Sequence, residues 1–172
     1  EISYMIRLTL MNHENEQKTA VLDLPATEER MQEVQAELDA PEWFDAQFIS
    51  CDAIVPQLNT MLTDVEDLPR INELAHSLLK LKANGQLTKF KAVVGATQCE
   101  SLDDVFDRLE KLPQYCFEAK IRDKDALVRD ELEFVLGGKD ADLIYKHLNC
   151  EAYAEAVLKQ YGAEITPYGM VN

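Results

Sequence analysis

The apolar residues of this chain change their period twice, and that change limits the fold more than any other feature of the sequence. From Met5 to Met11, Ile6, Leu8 and Leu10 alternate with Arg7 and Thr9, the period-two pattern of a strand with one buried face. A polar turn, His13 to Gln17, leads to a second such run, Lys18 to Leu24, so the two predict a hairpin that Pro25 stops. Thr27 then offers an N-cap for a helix running to about Asp39, with Met31, Val34 and Leu38 as its buried stripe. Pro41 ends that helix, and Trp43 to Cys51 reads as a third strand.

From residue 53 to residue 113 the period is helical. Val55 to Leu62 predicts a short helix, and Leu68 to Lys82 a longer one with Ile71, Leu74, Ala75, Leu78 and Leu81 on one face and Asn84-Gly85 as its stop. Gln86 to Val94 is a third. Ser101 with Asp104 approximates a capping box before a fourth, which carries Leu102, Val105, Phe106, Leu109 and Leu112. A strand is expected at Tyr115 to Ile121, then a helix from Lys124 to Leu136, a break at Gly137-Gly138, and two shorter helices to Tyr161. Gly162 closes the last helix, and Ala163 to Asn172 predicts two short strands around Pro167-Tyr168-Gly169. The expectation is an α+β fold, elongated, in three segments: a small α+β domain over 1–52, a helical bundle over 53–113, and an α+β domain over 114–172.

Composition then narrows the function. Of 172 residues, 47% are hydrophobic, enough to bury a core, while 32 Asp and Glu stand against 17 Lys and Arg for a net charge of -15. Nucleic-acid affinity comes mostly from basic side chains displacing counterions, so direct DNA or RNA binding is not expected. Apolar runs such as Ala92-Val93-Val94 are far short of a membrane span. No basic and apolar leader marks a secretory signal, and Met5 reads as a start residue with Glu1 to Tyr4 added ahead of it. Cys51, Cys99, Cys116 and Cys150 are widely spaced, as for reduced thiols in a cytoplasmic protein.

The spacings that cofactor, phosphate and nucleophile sites require are missing, and His13, His76 and His147 are scattered, so no enzyme, cofactor or metal is expected. Asp123-Lys124-Asp125 and Asp140-Ala141-Asp142 sit at helix starts, where carboxylates cap free N–H groups, and Gly137-Gly138 follows a helix as a turn. The informative feature is where the acid lies. Residues 1–52 carry net -9, 53–113 net -2 and 114–172 net -4. In the first helix Glu29, Glu33 and Glu37 form a row at i, i+4, i+8, and Asp103, Asp107 and Glu110 form another at i, i+4, i+7. Like charges so spaced destabilise a helix by about 0.2–0.5 kcal/mol per pair, and such a row either is a solvated face or imitates the charges of a phosphodiester backbone.

Arg70-Ile71-Asn72-Glu73-Leu74-Ala75, then Ser101-Leu102-Asp103-Asp104-Val105, then Tyr115 to Phe117, resembles the middle region of ArdA-type antirestriction proteins. Glu151-Ala152-Tyr153-Ala154, Tyr161-Gly162 and Tyr168-Gly169-Met170-Val171 are similar to that family's C-terminal pattern. The resemblance implies an elongated, three-part homodimer carried on mobile elements, which mimics bent B-form DNA and fills the DNA groove of type I restriction-modification enzymes without catalysis. The middle segment, at -2, is less acidic than a uniform mimic of DNA.

The phosphate-imitating positions expected on this reading are Glu28, Glu29, Glu33, Glu37, Asp39, Glu42, Asp45, Asp64, Glu66, Asp67, Asp103, Asp107, Glu110, Asp130 and Glu133. A dimer would carry 64 carboxylates and 34 basic groups; at one charge per roughly 1.7 Å of duplex, the net 30 matches about 50 Å of DNA. Self-association is expected through Phe134, Val135, Leu136, Leu143, Ile144 and Tyr145, more apolar surface than a small domain buries. The rival reading is an acidic adaptor that binds a basic protein without imitating DNA, and a metal-dependent hydrolase ranks last.

Overall fold

The computed structural model describes residues 4–172, an α+β arrangement of helices with two small antiparallel sheets. Where the sequence suggests boundaries after residues 52 and 113, the structure groups the chain into two units. The first holds residues up to Leu87 with Glu100–Phe106, and the second holds Thr88–Cys99 with Asp107–Asn172. Strand Ala46–Ala53 runs across the first expected boundary, and the helices between 53 and 113 are shared between the units.

In the first unit, β1 (Ile6–Asn12) lies between β2 (Thr19–Leu24) and β3 (Ala46–Ala53). Register pairs Ile6 with Leu24 and Leu8 with Leu22, so the alternation read in the sequence becomes one buried face. The outer face carries cross-strand pairs such as Arg7 with Asp23 at 2.6 Å. Asn12 closes the hairpin by accepting from the Glu14 and Asn15 N–H groups. Its amide also donates to the carbonyl of Leu38, tying the turn to the end of α1 (Glu28–Leu38).

Thr27 caps α1 as expected, its hydroxyl accepting from Arg30 N–H at 3.1 Å. Val34 and Leu38 are buried and Met31 half-buried, and the helix packs on β2. Two expectations shift here. Trp43–Asp45 forms a 3-10 turn in place of the start of a strand, because Glu42 and Asp45 cap one another's backbone, and the strand begins at Ala46. Only Leu58–Met61 (α2) of the expected helix 55–62 is helical; Val55 and Leu62 turn into the core at its two ends instead.

β3 also contains a bulge. Its register against β1 steps from Ser50 to Phe48, leaving Ile49 as the extra residue, 52% exposed. Helix α3 (Leu68–Ala83) buries Ile71, Leu74, Ala75 and Leu78, with Leu81 half-buried, and it also packs on β2. Asn72 fastens it there: its side chain accepts from Ala26 N–H at 2.9 Å and donates to Ala26 carbonyl at 3.1 Å.

Helix α4 spans Leu87–Ala96 and α5 spans Leu102–Glu110. The capping box before α5 forms, since Ser101 Oγ accepts from Asp104 N–H while the Asp104 carboxylate accepts from Ser101 N–H. α5 stops at Glu110, and Pro113 directs the chain into a 3-10 turn, Leu112–Gln114, that buries Leu112.

In the second unit, α6 (Lys124–Val135) packs on α7 (Gly138–His147) and α8 (Cys150–Tyr161). Their core is Ile121, Leu127, Val128, Leu132, Ala141, Ala154 and Val157. Asp123 caps α6, as its position implied. Of the strand expected at 115–121 only Phe117–Glu118 (β4) is strand, paired with β6 (Gly169–Val171), and Cys116 extends the pairing by exchanging both backbone hydrogen bonds with Asn172. β5 (Glu164–Thr166) completes the sheet in the order β4-β6-β5.

Replacing Asn72 by Ala removes both bonds to Ala26 and leaves that half-buried peptide unpaired, a loss of about 1–3 kcal/mol. Urea unfolding of the full chain should show a lower midpoint with an unchanged slope; an unchanged midpoint would mean that the clamp contributes nothing.

Candidate functional site

The charge is divided more unevenly between the two units than between the three sequence segments. The first unit contains 19 acidic and 6 basic residues, net -13, and the second 13 and 11, net -2. Eleven of the fifteen expected acids, Glu28 to Asp67 with Asp103, belong to the first unit; Asp107, Glu110, Asp130 and Glu133 belong to the second.

On α1 the row Glu29, Glu33, Glu37 is not one of unrelieved like charges, which corrects the sequence expectation. Arg30 Nη1 lies 3.1 Å from Glu33 Oε2 and 3.1 Å from Glu37 Oε1, and Arg30 Nη2 donates to Val21 carbonyl. The two carboxylates raise the Arg30 pKa further above its ordinary value. The i, i+3 and i, i+7 spacings of Arg30 to these acids were legible in the sequence, but that the side chain reaches forward along the helix to both was not.

The second row is broken in the same way. Asp103 is held by Arg70 at 2.7 Å, with the Arg70 guanidinium 5.1 Å from the centre of the Phe106 ring. Asp107 pairs with Lys111 at 2.9 Å and with Arg108, whose Nε donates to Thr97 Oγ1. The ammonium of Lys111, and then the guanidinium of Arg108, hold the Asp107 carboxyl below its ordinary range. Asp39 caps α1 in a left-handed conformation, φ 54°, and pairs with Lys18 at 3.1 Å.

Other candidates serve the backbone. Glu42 and Asp45 cap the 3-10 turn, and Asp64 accepts from Glu66 N–H. Glu133 accepts from Gly138 N–H and, with Asp130, lines a mixed-charge cavity of about 400 Å³ that also includes Lys120, Arg129, Asp142 and Tyr145. Among the described residues, Glu28, Glu29, Glu66, Asp67 and Glu110 take part in no ion pair. All of these except the half-buried Asp67 are exposed.

The apolar residues singled out in the second unit stand in solvent. Phe134 is 86% exposed, and Val135, Leu136, Leu143 and Ile144 are exposed with it on the end of α6 and on α7. Tyr145 is the exception: its ring lies under Arg129 at 4.1 Å, and its hydroxyl donates to Asp125. Among the described residues, no three His, Cys, Asp or Glu side chains assemble a metal site, and no helix is long and apolar enough to cross a membrane. No protein-family model, curated protein or solved structure matches the chain.

The lowered Asp107 carboxyl predicts a pH signature. A carboxyl whose folded pKa lies below its ordinary 3.8 contributes stability that is fully present above that value and is lost as the pH falls through the folded pKa. Asp107→Asn should therefore lower the urea midpoint at pH 7, and the two proteins should converge as the pH drops below 3.8. Parallel midpoint curves down to the acid limit would show that the pair is not formed in solution.

Proposed function

We propose that this chain is a non-catalytic antirestriction inhibitor of the cytoplasm, which offers an acidic surface in place of DNA to the groove of a type I restriction-modification enzyme and binds no nucleic acid itself. The observation that carries this reading is the net charge of -13 gathered in one unit while the other stays near neutral. A field of that sign attracts and orients a basic groove, and it repels nucleic acid. The unpaired acids at the two ends of this stretch, Glu28 and Glu29 on α1 and Glu66 and Asp67 before α3, are the first candidates to meet the enzyme's Lys and Arg. The paired acids Glu33, Glu37, Asp103 and Asp107 are secondary.

A second reading, an acidic adaptor for another basic protein, is favoured by the arginines that interrupt both acidic rows. The two part in one measurement, because duplex DNA of any sequence should compete with a DNA mimic for its enzyme. An adaptor need not be displaced.

Glu29→Gln, Glu66→Gln and Asp67→Asn combined should raise the concentration needed for half-inhibition of restriction by about three-fold or more, at 0.2–1 kcal/mol per surface charge. Glu33→Gln with Glu37→Gln should cost less, since Arg30 already neutralises part of that charge. Equal inhibition by the first variant and the parent would remove these acids from the interface.

Self-association belongs to the same proposal. The exposed Phe134, Val135, Leu136, Leu143 and Ile144 form the kind of apolar surface that marks contact with a protein, and a second copy would bury it symmetrically. Light scattering should give twice 19.6 kDa for the parent and 19.6 kDa for Phe134→Asp with Leu143→Asp. A monomeric parent at all micromolar concentrations would overturn the dimer.

A further inference from the structure

In the acidic unit, α1, the Trp43 turn and α3 line a cleft of about 380 Å³. Glu28, Met31, Gln32 and Gln35 come from one strip of α1, and Pro69 and Asn72 come from α3. Two of the three amides are engaged: Gln35 Nε2 donates to Pro41 carbonyl at 3.2 Å, and Asn72 holds Ala26, while the Gln32 amide is exposed. What is left facing a ligand is an apolar wall of Met31, Pro69 and the half-buried Trp43, with the exposed Glu28 carboxylate and Gln32 amide beside it. Among the described residues, no Lys, Arg or His lines the cleft. The cation nearest in sequence on α1, Arg30, is committed to Glu33, Glu37 and Val21.

We propose that this cleft receives the side chain of one arginine presented by the partner protein, an inference that rests on reading the partner as basic. The charge is complementary, since the unit is net -13 and the cleft has one carboxylate and no cation of its own. The shape of the chemistry selects among cations. A guanidinium is planar and weakly hydrated, stacks on aromatic rings and meets a carboxylate with two parallel N–H groups, whereas an ammonium is compact and strongly hydrated. An indole is the best aromatic partner for a cation. An anion or a phosphate is excluded by the same field that draws the arginine in.

Trp43 is the only tryptophan, so the full chain carries its own reporter. Hexa-arginine, titrated at physiological ionic strength, should change Trp43 emission saturably, with half-saturation at about one third of the concentration that hexa-lysine requires, as one cation–indole contact implies. Glu28→Gln should raise the hexa-arginine half-saturation about three-fold. Glu16→Gln, which removes the same charge from the β1–β2 turn, should raise it clearly less.

Equal half-saturation for the two peptides, equal effects of the two variants, or calorimetric binding with no change in Trp43 emission would each overturn the arginine site. Loss of arginine capture with restriction inhibition intact would remove the cleft alone. Arginine capture by a parent chain that fails to inhibit would leave the cleft and remove the type I enzyme as its partner.

Discussion

The central strand β1 is paired on both sides, and its buried Ile6, Leu8 and Leu10 set what the rest of the acidic unit can do. Because side chains alternate along a strand, burying these three commits Arg7 and Thr9 to the outer face and turns one face of the sheet into an apolar floor. Helices α1 and α3 both pack on β2 from that floor. Each helix has one apolar stripe, so its charged residues have nowhere to go but outward. The surplus of carboxylates in this unit is thus held at the surface by the burial of a few aliphatic side chains on a three-stranded sheet.

Holding that surplus has an electrostatic cost, and the structure reduces it locally. Arg30, Arg70 and Lys18 each sit on one or more of this unit's acids, Glu33 with Glu37, Asp103, and Asp39. These pairs are exposed, so each contributes little to stability; their larger effect is to decide which carboxylates remain unpaired at the surface. The near-neutral second unit keeps its apolar residues at the end of α6 and on α7 instead of its charge. The two units therefore differ in the force through which they would engage another molecule, long-range charge in one and short-range apolar contact in the other.

Much of this was legible in the residues themselves. The hairpin, the Thr27 cap, the α1 stripe, the long helix over Leu68–Ala83, the Ser101–Asp104 box and the Gly162 stop all depend on interactions within a few residues, so local pattern suffices to read them. Total charge and the lack of any metal or nucleophile spacing were readable for the same reason. The misplaced boundaries depended on distant partners. β4 pairs only where β6 and Asn172, some fifty residues on, lie beside it, and Val55 and Leu62 leave the helix because the core takes them at either end.

What the tertiary structure alone decided is the state of each acid and the place of Trp43. Whether Asp103 is free depends on Arg70, thirty-three residues away, and Asp39 at the end of α1 depends on Lys18 at the hairpin turn. The cleft brings together a helix strip, a 3-10 turn and the start of another helix, none of which signals a cavity by itself. Sequence determined that this chain is acidic, mixed in secondary structure and one-sided in its helices, because charge and periodicity are local properties. Which carboxylates face solvent unpaired, and which aromatic ring lines a cleft beside them, are pairwise properties of residues far apart in the chain, and only folding brings those pairs together.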